Sequence, residues 1–338
     1  MIMEMNDMKI LVTMPISQIR STFFPPEVIK RMESIAEVEW NETENPFGIE
    51  ELKKRLRDVD VCMTGWGSER FDSEVLESAD KLKVIAHTGG SVATIVSNEL
   101  YEKGIIVLSG NPYYAESVAE GAIAYMLCSL RRIVFYQDMV QNGGWASPES
   151  WDEGLLDQSL GLVGFGAIAK LLTKKLAPFR VKIKAYDPYV DDEILKEYGV
   201  ERASLEDIFS KSKIISIHAA KTPDTYHLVG SELLQAIPDG ALLVNTARSS
   251  IINTAALEEE LQKNRFQAVL DVFDEEPLPK DSKLIGLPNV LLMPHRGGPT
   301  TDRWRIVTLA LIDDILRIFD GKEPVLAIEK KYAMAMSR

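Results

Sequence analysis

A glycine-rich segment in the middle of the chain has the spacing of a phosphate-binding turn. Gly161-Leu-Val-Gly164-Phe-Gly166-Ala-Ile-Ala169 reads as G-x-G-x-x-A from Gly164, after an apolar run and before the helical segment Lys170–Ala177. Gly164 permits a tight turn, Gly166 lets backbone N–H groups approach a pyrophosphate, and Ala169 allows close packing of helix and strand. Because such a turn also occurs without a ligand, its sequence neighbours decide its meaning.

An acidic residue after the next apolar run indicates which nucleotide the turn binds. Asp187 lies about 20 residues after Gly164, the position from which a carboxylate takes the ribose hydroxyls of NAD. A 2′-phosphate would be repelled by this charge, so NAD is favoured over NADP. The turn, the helix and the acid together predict an NAD site.

Further polar residues follow the other apolar runs in this half of the chain. In open α/β sheets, ligands bind beyond the carboxyl ends of the strands, so these positions could do chemistry. They are Asp187, His218-Ala219-Ala220, Thr246-Ala247-Arg248, Asp271 and His295. The sequence therefore predicts that an arginine, acids and a histidine converge on one edge of a sheet.

Four histidines compete for an acid/base role. The sequence favours a surface position for His227, a structural or substrate-orienting role for His87, and packing near the cofactor for His218. His295 stands apart, because a proline precedes it and a glycine-rich loop follows it.

Short β-rich runs alternate with helical patterns along the chain, which is typical of parallel α/β layers. A first group predicts a small four-stranded sheet, and a second group has the six strands of a dinucleotide-binding sheet. The first group is Lys9–Met14, Val59–Gly65, Leu82–Gly89 and Ile105–Gly110. The second group is Ser159–Gly166, Lys182–Pro188, Lys213–Ala220, Ala241–Arg248, Phe266–Phe273 and Asn289–Arg296.

Two amphipathic segments complete the pattern. Apolar residues at i+4 spacing predict one long, buried helix over Glu116–Val140. Its apolar stripe is Val118, Ala122, Met126, Leu130 and Val134. After Pro299 a second helix runs to about Phe319 and returns to the first domain. We expect residues 1–112 with 298–338 to bind substrate and residues 113–297 to bind NAD, with a cleft between the two domains.

The composition excludes several classes of protein. The net charge is −13, with 38 Lys and Arg against 51 Asp and Glu, which disfavours nucleic acid and acidic membranes as partners. Cys62 and Cys128 are expected to be buried thiols, with neither a disulfide framework nor a metal site. The N-terminus lacks the features of a signal peptide, and no apolar run reaches the ~18 residues of a membrane span. These features predict a cytoplasmic protein.

Four motifs occur in order along the chain. They are the glycine turn, Asn245-Thr-Ala-Arg248, Asp271-Val-Phe-Asp-Glu-Glu276-Pro-Leu-Pro and Met293-Pro-His295. In these motifs, and in Ser117-Val-Ala-Glu120, the chain resembles the NAD-dependent D-isomer specific 2-hydroxyacid dehydrogenases over almost its whole length. The resemblance implies a six-stranded Rossmann domain for NAD, a smaller flavodoxin-like domain for the substrate, and a homodimer.

The resemblance also implies the catalytic residues. Arg248 matches the arginine that binds the substrate carboxylate and keto oxygen, His295 the acid/base, and Glu276 its carboxylate partner. Reduction of a ketone by hydride builds negative charge on oxygen, so a cation and a proton donor must meet that oxygen. For Arg248 or Glu276 alone, a surface ion pair would be the simpler interpretation.

The implied binding residues extend this set. The implied cofactor contacts are Gly164, Gly166, Ala167, Ile168, Asp187, Ala220, Thr225, Thr246, Ala247, Arg248, Asp271 and His295. For the substrate, the family usually has a G-x-G-x-D loop whose N–H groups hold the carboxylate. This chain has Thr88, Gly89 and Gly90 there, beside an additional His87 and without the acid, and Arg248 completes the expected substrate site.

Two functions follow from this pattern. The first is an oxidoreductase that interconverts a 2-oxo acid and a D-2-hydroxy acid. Hydroxypyruvate, glyoxylate, a sugar-derived acid, an aromatic 2-oxo acid and a phosphoglycerate-derived acid all fit, whereas the Glu276 partner disfavours formate oxidation. The alternative is an NAD(H)-sensing, corepressor-like binding protein on the same scaffold, because a fold alone does not establish chemistry.

Overall fold

The computed structural model describes residues 8–148 and 150–336, which form two compact α/β units. One unit ends at Tyr114 and resumes at Pro299, and the other is Ala115–Gly298. Residues 1–7, where the sequence predicts no signal peptide, lie outside the described residues. In the described ranges, no helix has both the length and the apolar character needed to span a membrane.

The first unit is built on a parallel sheet that has five strands within the described ranges, in the order β2-β1-β3-β4-β5. The strands are β1 Lys9–Val12, β2 Glu37–Trp40, β3 Val61–Thr64, β4 Val84–His87 and β5 Ile106–Ser109. The sequence predicts four of them and misses β2. Its Glu-Val-Glu-Trp sequence forms a half-exposed edge strand, so it lacks the continuous apolar run of a central parallel strand.

The second unit is built on a parallel sheet in the order β12-β11-β10-β9-β6-β7-β8, seven strands as far as the structure describes the chain. They are β6 Ser159–Val163, β7 Lys182–Tyr186, β8 Glu201–Arg202, β9 Ile214–Ile217, β10 Leu242–Asn245, β11 Gln267–Leu270 and β12 Val290–Leu292. The predicted fold class, two parallel-sheet α/β domains, is confirmed. The predicted count of six strands is wrong, because the two exposed residues of β8 are too few to leave a sequence pattern.

Helices pack on both sheets and bury the apolar faces of the strands. In chain order they are α1 Gln18–Phe23, α2 Pro26–Glu33, α3 Ile49–Arg55, α4 Ser73–Leu76, α5 Asn98–Glu102, α6 Asn111–Leu130, α7 Ile133–Gln141, α8 Ala167–Leu176, α9 Asp192–Glu197, α10 Leu205–Lys211, α11 Ser231–Ala236, α12 Thr254–Gln262, α13 Thr301–Phe319 and α14 Lys330–Ala335. Short 3₁₀ turns lie at Leu56–Asp58, Ala177–Phe179, Pro223–Thr225 and Ser249–Ile251.

The long helix predicted over residues 116–140 is two helices. Arg132 has a left-handed backbone with φ 50°, which interrupts the helix between α6 and α7. The predicted stripe is buried at Ala122, Met126 and Leu130, but Val134 on α7 is 56% exposed. The i+4 pattern therefore continues through a break that no glycine or proline marks. The second predicted helix corresponds to α13.

A buried carboxylate fixes the chain after α13. Asp314 is 2% exposed, and its oxygens accept hydrogen bonds from the N–H groups of Val325 at 2.8 Å and Leu326 at 2.6 Å. The Arg317 guanidinium lies 3.5 Å from the same carboxylate. Because a buried carboxylate must be hydrogen-bonded, these contacts hold the segment that follows α13 in place.

We predict that Asp314→Asn lowers the free energy of unfolding by about 2–3 kcal/mol. The amide is neutral and has only one oxygen that can accept from the two N–H groups, whereas the carboxylate has two charged oxygens. The matched control is Asp313→Asn. Asp313 is exposed and pairs with Arg31 at the surface, so its loss should cost about 0–1 kcal/mol. Denaturant unfolding of the three proteins measures both values, and equal losses would contradict the structural role of Asp314.

Candidate active site

The predicted phosphate-binding turn joins β6 to α8. Gly164 has φ 93°, and an added Cβ would lie 2.6 Å from the Ala219 nitrogen, so only glycine fits there. Gly166 caps α8, and a Cβ added to it would meet no atom within 4 Å. The helix therefore begins beside open space.

The first turn of α8 offers hydrogen-bond donors to this space. The first N–H groups of a helix have no carbonyl partner within the helix. Those of Ala167 and Ile168 gain no side-chain cap from Gly166. Together with the positive end of the helix dipole, such groups bind phosphate anions. This turn suits the pyrophosphate of a dinucleotide.

The carboxylate of Asp187 is fixed against the same turn. It follows β7, and its oxygens accept hydrogen bonds from the N–H groups of Phe165 at 2.8 Å, Tyr189 at 2.9 Å and Val190 at 3.2 Å. These backbone donors hold the carboxylate group at the end of the strand next to β6. It therefore occupies the place at which a ribose acceptor is expected.

Further predicted cofactor residues follow β9 and β10. Thr225 Oγ1 donates to the Ala220 carbonyl at 2.7 Å, and Ala247 N–H donates to the Asn245 amide oxygen at 3.0 Å. Thr246 is 8% exposed, and its Oγ1 has no hydrogen-bond partner in the part of the chain that the structure describes. Buried hydroxyls are normally hydrogen-bonded, so Thr246 offers a group for a ligand to satisfy.

The residues at this edge of the sheet fit NAD. The open space at Gly166, the uncapped N–H groups of α8 and the Asp187 carboxylate provide for a pyrophosphate and a ribose. The orphaned Thr246 hydroxyl lies after β10 of the same sheet. All of them lie at carboxyl ends of parallel strands, where such folds bind nucleotides.

The predicted catalytic residues all belong to the second unit. His295 Nδ1 lies 2.7 Å from Glu276 Oε2, so the imidazole and the carboxylate are paired. The His295 side chain is 51% exposed, and its Nε2 has no hydrogen-bond partner among the described residues. One ring nitrogen is thus held by the protein, and the other remains available to a ligand.

The charges around Glu276 keep it ionised. Burial alone would raise the pKa of Glu276, but hydrogen bonds from His295 and from the Phe273 N–H, with the charges of His295 and Arg248, bring it below its usual value. Burial lowers the pKa of Arg248 while the Glu276 charge raises it. Because an arginine keeps its proton in proteins, Arg248 is a half-buried cation that interacts with Glu276.

A buried aspartate positions His295. The backbone of His295 is left-handed with φ 54°, a conformation that few residues other than glycine adopt. The two N–H groups that follow, of Arg296 and Gly297, each donate to the Asp271 carboxylate at 2.7 Å. Tyr125 Oη donates to the same carboxylate at 3.3 Å. These bonds stabilise the otherwise unfavourable backbone of the histidine.

This arrangement refines the prediction for Asp271. The sequence presents Asp271 as a cofactor contact, whereas in the structure both of its oxygens hold the segment after His295. Sequence reasoning missed Tyr125. Burial and the Asp271 charge raise the pKa of Tyr125, so this phenol remains a donor. The available signal was a tyrosine in an apolar helix, since a buried hydroxyl needs a partner.

The predicted substrate loop follows β4 in the first unit. Thr88, Gly89 and Gly90 are buried, and Ser109 Oγ donates to the carbonyls of Gly89 at 3.2 Å and Gly90 at 2.7 Å. The N–H groups of both glycines have no hydrogen-bond partner among the described residues. Since a trans peptide directs its carbonyl and N–H oppositely, the Gly90 N–H points away from Ser109. The loop therefore has donors to offer a carboxylate.

Two of the other histidines lie apart from this chemistry. His227 is exposed and stacks on Tyr226. His218 follows β9, its Nε2 lies 2.9 Å from Ser216 Oγ, and burial lowers its pKa to about 4. In the structure, neither of them contacts the pair of His295 and Glu276.

Comparison with known proteins identifies the family. Residues 123–297 match the NAD-binding domain of the D-isomer specific 2-hydroxyacid dehydrogenases. The chain is 32% identical over 316 residues to D-3-phosphoglycerate dehydrogenase of Methanocaldococcus jannaschii, an alignment that covers 93% of this chain and 58% of that protein. It is also 32% identical to glyoxylate reductase of Thermococcus litoralis, over 90% of this chain and 94% of the relative.

A solved structure shares this fold. The TT0316 protein of Thermus thermophilus is 29% identical and superposes with a TM-score of 0.76, over 95% of this chain and 100% of that one. The relatives carry the names of different substrates, so the comparisons establish the family and its cofactor but no single substrate. The chain belongs to the D-isomer specific 2-hydroxyacid dehydrogenases, a family of NAD-dependent oxidoreductases.

Proposed function

We propose that this protein interconverts a 2-oxo acid and a D-2-hydroxy acid, with His295 as the acid/base, Glu276 as its partner and Arg248 as the substrate-binding cation. The observation that carries the proposal is the 2.7 Å pair of His295 Nδ1 and Glu276 Oε2, which leaves Nε2 without a partner among the described residues. A histidine held on one side by a carboxylate and open on the other is suited to proton transfer.

Each group has a defined task in the reduction. When bound, NADH would supply the hydride that reduces the carbonyl carbon of the substrate. As negative charge develops on the carbonyl oxygen, His295 Nε2 donates its proton there, and the Glu276 carboxylate stabilises the imidazolium before transfer. The Arg248 guanidinium binds the substrate carboxylate and stabilises the same oxygen, since its planar fork can meet two oxygens at once. The oxidation of the hydroxy acid reverses these steps.

The substrate carboxylate is the group that we assign to the loop after β4. The Gly89 and Gly90 N–H groups have no protein partner among the described residues, and glycine leaves room for close approach. The contacts of Gly164, Gly166, Ala167, Ile168, Asp187, Ala220, Thr225, Thr246, Ala247 and Asp271 with NAD are part of the same proposal. The Asp187 charge supports NAD over NADP.

We further propose a homodimer in the cytoplasm. The second unit exposes apolar side chains on and after α7 that a monomer would leave in water. They are Ile133, Val134, Phe135, Val140, Trp145, Trp151 and Leu156. Cys62 is buried as expected, while Cys128 is half-buried, contrary to expectation, and both are free thiols, consistent with a reducing compartment. The NAD-sensing alternative finds no support, because the curated relatives reported above carry the names of a dehydrogenase and a reductase.

We predict that His295→Gln lowers kcat for reduction of 2-oxo acids by about 10²–10⁴-fold, the usual contribution of a general acid. NADH affinity, measured by fluorescence titration, should change by less than about threefold, since the phosphate-binding turn follows β6 whereas His295 follows β12. His227→Gln, at an exposed histidine of the same unit, is the control and should retain full activity. A fully active His295→Gln would refute the assignment.

We predict that Glu276→Gln lowers kcat/KM less than loss of His295 does, by about 10–100-fold. The pKa of Glu276 lies below its usual value, so wild-type Glu276 is charged at and above neutral pH and stabilises the protonated imidazole. Without that charge the imidazolium loses a stabilising partner, so proton donation to the substrate should be less effective. Steady-state NADH oxidation with a 2-oxo acid measures kcat/KM, and an unchanged kcat/KM in Glu276→Gln would contradict the pairing.

We predict a mass of about twice 37.8 kDa by light scattering of the purified chain. Phe135→Asp places a charge in the exposed apolar set on α7 and should shift the population towards a single chain. Tyr189→Asp, at an 80% exposed position outside that set, should leave the mass unchanged. A wild-type mass of one chain would refute the dimer.

A further inference from the structure

An aromatic cluster lies in the first unit around Trp66, which follows β3. The Trp66 ring makes edge-on contacts with Phe23 at 5.7 Å, Trp304 at 5.8 Å and Tyr114 at 6.3 Å between ring centroids. Phe23 and Trp304 stack on each other at 4.8 Å. Three rings therefore fix the orientation of Trp66, yet Trp66 is 50% exposed. A large apolar side chain that is rigidly held and half open is suited to bind a ligand.

The cluster borders the glycine loop that we assign to the substrate carboxylate. A Cβ added to Gly89 would lie 3.1 Å from Trp66 Nε1, and one added to Gly90 would lie 3.1 Å from Tyr114 Cγ. Trp66 Nε1 has no hydrogen-bond partner among the described residues. Both distances are shorter than an ordinary van der Waals contact, so the rings pack directly against the two glycines. The part of a substrate next to its carboxylate would meet these rings.

His87 adds a neutral polar group beneath the same loop. It is 2% exposed, its Nδ1 lies 3.0 Å from Thr64 Oγ1, and its Nε2 lies 2.4 Å from the position of a Cβ on Gly89. Burial lowers the pKa of His87 to about 4, so the ring is uncharged at neutral pH. His87 consequently offers no positive charge to a phosphate group on the substrate.

We propose that the cluster of Trp66, Tyr114, Phe23 and Trp304 selects 2-oxo acids that carry an apolar side chain, an aromatic ring above all. The inference rests on the proposed function, because it requires the glycine loop to hold the substrate carboxylate. Trp66 is the specificity-determining residue, since it is the most exposed ring of the four. The side chain of the substrate would move from water onto the Trp66 ring. Because three neighbouring rings already fix the orientation of Trp66, binding costs little conformational entropy of that side chain.

The physical consequence is discrimination by size and charge. Glyoxylate has no side chain to bury, and 3-phosphohydroxypyruvate would bring a dianion beside aromatic rings and a neutral imidazole. Each group that a pocket buries or fails to bury changes kcat/KM by about 10–200-fold. We therefore expect kcat/KM for phenylpyruvate to exceed that for glyoxylate and for 3-phosphohydroxypyruvate by at least about tenfold.

The test measures NADH oxidation by the full chain with phenylpyruvate, 4-methyl-2-oxopentanoate, glyoxylate and 3-phosphohydroxypyruvate. Trp66→Ala should lower kcat/KM for phenylpyruvate by at least about tenfold, mainly through KM, and change that for glyoxylate by less than about threefold. Trp66→Phe keeps a ring and should recover most of the loss. Tyr332→Ala is the matched control, since this ring in the same unit is 49% exposed and has no ring contact within the described chain.

The outcomes separate this inference from the proposed function. Turnover of 2-oxo acids with glyoxylate or the phosphorylated acid preferred, or an equal loss for all substrates in Trp66→Ala, would overturn the inference and leave the proposed function intact. If the wild-type chain turned over none of the 2-oxo acids, so that no rate depended on His295, both the inference and the proposed function would be overturned. Unchanged NADH affinity and melting temperature in Trp66→Ala would show that the variant is folded. If Trp66→Ala lowers the melting temperature together with activity, Trp66→Phe decides, because it keeps a ring at this position and should recover most of the activity with phenylpyruvate.

Discussion

The geometry of the proposed catalytic pair, His295 and Glu276, depends on one buried carboxylate. Asp271 is 1% exposed and accepts the N–H groups of Arg296 and Gly297 and the hydroxyl of Tyr125. A buried charge is tolerated only when hydrogen bonds replace its hydration, so the segment after His295 has no low-energy alternative that leaves Asp271 bare. The left-handed backbone of His295 is the result. Gly297 is required by the same contact, because a Cβ there would lie 2.7 Å from the Asp271 oxygen.

The placement of the proposed catalytic groups depends on the contacts of Asp271. The fixed backbone places the His295 imidazole against Glu276. Hydrogen-bond donors lower the pKa of Glu276, so its carboxylate stays ionised. Arg248 adds a cation from the end of β10. Three strands of one parallel sheet thus deliver three functional groups to one edge, because parallel strands place all their carboxyl ends on the same side. The phosphate-binding turn at the end of β6 belongs to that edge as well.

The sequence predicts those parts of the structure that depend on local pattern. Apolar runs identify the central strands, and the spacing from Gly164 to Asp187 predicts the position of the nucleotide site. The hydrophobic pattern does not reveal strands that form mainly by pairing with a neighbouring strand. β2 is a charged edge strand paired with β1, and β8 pairs with β7 through two residues. The break at Arg132 carries no glycine or proline. The motifs identify Arg248, Glu276 and His295 as candidates, but not the roles of Asp271 and Tyr125 in positioning His295. Those roles arise from contacts between residues 25, 26 and 146 positions apart, which no local pattern contains.

The proposed tasks of the two units constrain their residues differently. For this reason the sequence predicts the site residues of the second unit more fully than the substrate surroundings in the first. Proton transfer and hydride acceptance require a particular cation, acid and nucleotide turn, so the second unit has few residue types available at each position. The loop after β4, in the role that we propose for it, needs only backbone N–H groups to bind a carboxylate, so the side chains around it are free to vary with the substrate. In this chain those neighbours are an uncharged histidine and a cluster of aromatic rings. In our proposal, substrate selection therefore rests on side-chain surroundings that a motif does not encode, while the motifs indicate the reaction type.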